Sequence, residues 1–115
     1  MAQTVKKNLT GVALTVATTA IESFDVTNQV GVSVTVKSPA GAAGTFKLQM
    51  SNINSTVDAD WTDVPTTIAA TGTLVASGSA TVSTISGIRA AFVRAVVTVS
   101  AGAGNYNIYY LAKEY

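Results

Sequence analysis

The chain contains neither cysteine nor histidine. Disulfides, thiol nucleophiles, zinc sites built on sulfur or imidazole, and the usual acid–base side chain near neutral pH are all excluded. Charge is scarce as well, at 11 % of residues against roughly 25 % in an average soluble domain. Neither sign dominates, since Lys plus Arg number 7 and Asp plus Glu number 6. Lys6–Lys7 is the only adjacent basic pair. Nucleic acid is therefore not an expected partner, because displacing phosphate counterions takes clustered cations. A long apolar run is missing too. The opening "MAQTVKKNLTGVALTVATTA" resembles a secretory leader, but Thr10, Gly11, Thr15, Thr18 and Thr19 interrupt it. Neither a membrane span nor a signal peptide is expected.

What the chain does contain is alternation. In "VGVSVTVK" the pattern sends Val30, Val32, Val34 and Val36 inward and Gly31, Ser33, Thr35 and Lys37 outward. "TFKLQMS" repeats it, with Phe46, Leu48 and Met50 inward. Near the start, Val12, Leu14 and Val16 share a face. Late in the chain, "AAFVRAVVTVS" places Ala91, Val93, Ala95, Val97 and Val99 on one side and Phe92, Arg94, Val96 and Thr98 on the other. "AGAGN" makes a loose hairpin turn into "YNIYYLAKEY", where Tyr106 and Tyr110 share one face and Tyr109 takes the other. Frequent β-branched residues oppose helix. The expected fold is all-β: an antiparallel β-sandwich or jelly roll of about eight short strands. Residues 1–7 are expected to form an N-terminal arm and 8–115 a single domain.

Hydrophobic residues reach 48 %, yet aromatics are only 7 % and much of the remainder is alanine. At about 25 cal/mol per Å² of apolar burial, small side chains return little against roughly 1.5 kcal/mol of ordering entropy per residue. Completion of the fold against neighbouring subunits is the expectation. The contact segments are taken as the two chain ends: Met1, Val5, Lys6 and Lys7 at one, Tyr109, Leu111 and Tyr115 at the other.

The polar loop between Met50 and Pro65 holds the candidate chemistry. Asp58, Asp60 and Asp63 supply oxygens suited to calcium. The loop lacks the turn glycine and closing glutamate of an EF-hand, and the Asp side chains are read as capping their own backbone, with no metal. Trp61 is read as a plug beneath its loop, buried in the core, in preference to a sugar-stacking platform. Arg94 sits mid-strand between Val93 and Ala95, where a guanidinium needs a partner. Asp63 within the fold, or a neighbouring subunit, is the expected one, with an internal partner favoured. Hydroxyls are plentiful, but no base other than lysine is present to activate one. Catalysis and cofactors are not expected. Asn8-Leu9-Thr10 and Asn54-Ser55-Thr56 fit the glycosylation pattern, which carries no meaning without a secretory leader.

The order "FKLQMSN", "DADWTDVP", Gly-punctuated short strands and "IRAAFVRAVVTVSAGAGNYNIYYLAKEY" resembles small β-sandwich virion proteins of tailed bacteriophages. In those proteins a Gln-x-Ser strand runs into a loop and a Trp-x-Asp-Val piece. A late strand with a central arginine then precedes a Gly-rich hairpin. The matching positions are Gln49, Ser51, Trp61, Asp63, Val64 and Arg94, within residues 45–113. The resemblance implies a structural role without catalysis, in the manner of a capsid decoration (cement) protein. It would be made in the host cytoplasm, assemble as a homo-oligomer of trimeric type, and bind the major capsid protein on the capsid surface of the virion. The alternatives are a carbohydrate- or receptor-binding module of a phage fibre, and a small tail or neck subunit.

Overall fold

Valine at alternate positions leaves "GVSVTVK" little choice but an extended backbone, because the branched side chain packs well on a pleated surface and poorly in a helical turn. The computed structural model describes residues 4–27, 29, 31–65, 71–84 and 90–113. Its strands are β1 (Thr4–Leu14), β2 (Thr18–Ala20), β3 (Phe24–Asp25), β4 (Gly31–Lys37), β5 (Ala43–Ser51), β6 (Thr62–Asp63), β7 (Gly72–Thr73), β8 (Ser79–Thr84), β9 (Phe92–Ala101) and β10 (Gly104–Lys113). One 3-10 turn, Asp58–Asp60, precedes β6.

Two antiparallel sheets pack into an all-β sandwich. The first has the order β1-β10-β4-β8, and the second the order β2-β9-β5-β6, with β3 also on β9 and β7 also on β5. β2 with β3, and β6 with β7, are each two short pieces laid along the same neighbour. Counted as one broken strand apiece, they give eight strands, ordered first-eighth-third-sixth and second-seventh-fourth-fifth. The inner faces follow the alternation: Val32, Val34, Val36, Phe46, Leu48, Val93, Ala95, Val97, Val99, Tyr106, Ile108 and Tyr110 are all buried in one apolar cluster.

Thr4 to Lys7 do not form an arm. They pair with Lys113 to Tyr110 as the first part of β1, so the start and end of the described chain close one edge of the first sheet. Val16, expected to share a face with Val12 and Leu14, is 61 % exposed, whereas Leu14 is buried. The strand ends at Leu14, and residues 15–17 form the turn that carries the chain across to the second sheet. Gly31 keeps the outer-face register expected of it, beside Lys113, but is buried there. Val30 lies outside the described residues.

Tyr110 reaches across the sandwich. Its hydroxyl accepts the Ala95 N–H at 2.8 Å and donates to the Glu22 carbonyl at 3.0 Å. Those are the groups left over where the second sheet's edge breaks between β2 and β3, so one phenol repairs the ladder. The ring stacks on Phe24 with centroids 5.3 Å apart. Burial pushes the phenol well above its ordinary pKa.

Candidate functional site

β9 presents Phe92, Arg94, Val96 and Thr98 on the outer side of the second sheet, and β5 presents Lys47 and Gln49 beside them. The register sets Gln49 opposite Arg94 on one flank and opposite Asp63 on the other. Gln49 becomes a relay: its Oε1 accepts from Arg94 Nε at 2.9 Å, and its Nε2 donates to Asp63 Oδ1 at 2.9 Å. Asp63 Oδ2 accepts in turn from Lys47 Nζ at 2.9 Å. The Lys47 ammonium, then Gln49, hold the Asp63 carboxyl below the usual aspartate range.

The loop from Asn52 to Asp60 folds back over this row because its small polar side chains bond their own backbone. Ser51 Oγ accepts the Ile53 N–H, and Ser55 Oγ accepts the Val57 N–H while donating to Asp60. Asp58, at the start of the 3-10 turn, thereby meets Arg94 Nη2 at 3.1 Å. Trp61 closes beneath, its Nε1 donating to the Ser55 carbonyl at 3.0 Å. The Arg94 guanidinium lies 4.6 Å above the Trp61 ring centroid. Arg94 is therefore 5 % exposed yet bonded through two of its nitrogens and stacked on an indole.

Arg94 has the internal partner expected of it, but that partner is Asp58 and not Asp63. Gln49 stands between Arg94 and Asp63, and the folded-back loop brings Asp58 to the other side. Trp61 is buried beneath its loop, as expected of a plug. Its place is under Arg94, outside the continuous apolar cluster between the sheets. Asp58, Asp60 and Asp63 are held by different groups, namely Arg94, Ser55 and the Lys47–Gln49 pair. Among the described residues no three carboxylates converge as a metal site would require.

Two shallow grooves flank the Asp58–Arg94 bridge. The larger, about 510 Å³, lies between the loop and the β2–β3 edge and is bounded by Lys7, Glu22, Ser23, Asn54 and Phe92. The smaller, about 450 Å³, runs over Thr18, Val96 and Thr98. Lys7 closes one wall, donating to Glu22 Oε1 at 2.8 Å and to the Ser23 carbonyl at 2.7 Å. Ser23 donates to Asn54. Lys7, Glu22, Ser23 and Asn54 in this wall are thus engaged with one another.

The expected contact residues separate. Lys6, Tyr109 and Leu111 lie on the outer face of the first sheet, where Lys6 aligns with Leu111. Val5 is half-buried and packs on the core, and Lys7 belongs to the groove wall. Met1 and Tyr115 lie outside the described residues. The sequence offered Asp58 as a calcium candidate and Gln49 through the resemblance, but their places beside Arg94, like the parts played by Ser55 and Tyr110, were not legible in residue type. Only the register puts Gln49 beside Arg94.

No protein-family model matches the chain, and no curated protein does. Its fold is similar to the crystal structure of the SPBc2 prophage-derived protein YomS, with a TM-score of 0.52 at 11 % identity over 96 % of this chain and 95 % of that one. A structure described under "Bacillus endospore appendages form a novel family of disulfide-linked pili" aligns with a TM-score of 0.44 at 16 % identity, over 97 % of this chain and 86 % of that one. At these identities the likeness is one of fold.

Proposed function

We propose that this chain is a structural protein of a tailed-phage virion and acts as a capsid decoration protein, binding the outer shell without catalysis. The observation that carries the proposal is the near end-to-end likeness of its sandwich to a prophage-derived protein. The strand orders of the two sheets are those of two interleaved Greek keys, and we read the sandwich as a jelly roll. The state of Trp61 adds support. A sugar-binding platform needs an open indole, whereas this one is 6 % exposed and lies under a guanidinium.

The mechanism is additive burial. A contact of roughly 800 Å² per partner suffices for specific binding, and oligomeric copies engaging several capsomers multiply that affinity. Many copies then oppose the outward pressure of packaged DNA. Co-sedimentation with mature shells of the phage that encodes the chain tests the reading. Saturable binding at a fixed ratio to capsomers, with shells that withstand more heat, is the expected result. Absence of shell binding together with specific retention on a glycan array would transfer the chain to the fibre class. Binding to tail tubes alone would make it a tail component.

A further inference from the structure

We propose that the outer face of the first sheet docks a second copy of this chain, received on the acidic side of that copy's second sheet. The proposal rests on the structural reading above only in expecting copies to meet. Its own basis is the way charge divides between the two sheets. On the first sheet's outer face the register brings Lys6 beside Leu111, Tyr109 between Asn8 and Thr35, Lys37 beside Asn107, and Lys113 beside Gly31. No carboxylate lies among the described residues of this face, and Lys6, Lys37 and Lys113 have no ion-pair partner among the described residues. The remainder of the face is Ser, Thr and Asn, with half-buried Tyr109 and Leu111 toward its middle. An apolar centre holding a tyrosine, within a charged and polar rim, is the anatomy of a protein interface.

The opposite side is the electrostatic counterpart. The described cations there are already neutralised, Lys47 by Asp63, Arg94 by Asp58 and Lys7 by Glu22. Among the described residues Asp25 and Asp60 are left over, each bonded there to neutral groups. Uncompensated positive charge on one face and uncompensated negative charge on the other repel like-to-like docking and favour front-to-back docking. Such a contact uses different patches on the two copies, so it propagates until a ring closes.

The test is light scattering on the purified chain without shells, at low salt and at about 0.5 M salt, where screening shortens the reach of exposed charges to a few ångströms. The wild type should self-associate, more weakly at high salt. The K37E/K113E and D25K/D60K pairs should each weaken association at least about tenfold. A chain carrying all four changes should regain it, because both faces have been exchanged. Circular dichroism checks each fold, and the neutral K37Q/K113Q pair, which should weaken association in the same direction, replaces any reversal that does not fold. A wild type that is monomeric throughout, association indifferent to both reversals, or a folded four-fold variant that fails to recover would each overturn the proposal. Shell binding is scored separately, so loss of self-association leaves the decoration reading standing or falling on its own assay.

Discussion

Arg94 shows how a charge is kept inside a sheet protein. The ion pair with Asp58 contributes little by itself, because that carboxylate's side chain is 88 % exposed and water screens it. More comes from the Nε bond to Gln49 and from the indole beneath, the latter worth about 1 kcal/mol. Arg94→Ala should therefore cost about 2–3 kcal/mol in urea unfolding, and Arg94→Lys should recover only part, since an ammonium cannot fork to both partners. Asp58→Asn should cost less than about 1 kcal/mol. Equal losses for Arg94→Ala and Asp58→Asn would mean that the ion pair dominates after all. Tyr110→Phe strips the ladder repair from the Ala95 N–H and the Glu22 carbonyl, and about 1–3 kcal/mol should go with it. Asp63 adds a pH signature. Its folded pKa is depressed, so its contribution is present above the unfolded value of about 4 and lost as pH falls through the folded value. The acid limb of the stability profile should flatten in Asp63→Asn.

At the scale of the strand, two glycines distinguish strain from collision. Gly11 has φ +66° at the register shift between Leu9 and Val12 of β1, with nothing within 4 Å of where a Cβ would stand. Gly11→Ala should cost about 1–2 kcal/mol, for the backbone alone. Gly44 combines φ +142° with a Cβ position only 2.0 Å from the Thr98 carbonyl oxygen across the β5–β9 ladder. Gly44→Ala must push two paired strands apart, and about 3 kcal/mol or more should be lost. Thermal melts of the two variants should differ clearly, and similar midpoints would show that β5 and β9 can move apart freely. The contrast also marks what residue order makes legible. Alternation identified the inward faces of β4, β5, β9 and β10, because period two is a local property of the chain. Register is not local. Which residue lies across from Arg94 depends on how β5 slides along β9, so the need for a partner was legible and its identity was not. The same holds for Trp61, whose burial followed from its size while its neighbour depended on a loop held by Ser51 and Ser55. Val16 failed for a different reason, since alternation does not say where a strand stops.

Across the whole molecule, the pairing of β1 with β10 joins the beginning of the described chain to its end. Such closure is the least local contact a chain can make, and loop entropy delays it in folding. It also gives the first residues a role different from that of a free arm. Val5 and Leu9 pack on the core from β1, and Lys7 ties β1 to the β2–β3 connection of the other sheet. Removing residues 1–7 should thus do more than abolish a contact with neighbours. It takes away the ladder to Tyr110–Lys113, bares the edge of β10, and unties the two sheets where the groove wall stands. The shortened chain should melt well below the unshortened one when purified alone, without shells, and its newly open edge should make it prone to aggregate. An unchanged melting point would return these residues to the status of an arm. The lysine point changes Lys6→Ala and Lys7→Ala separate the two contributions within the same segment. Lys6 faces outward and should leave the melting point alone while weakening self-association, whereas Lys7 should lower the melting point, because losing it unpairs Glu22 and the Ser23 carbonyl.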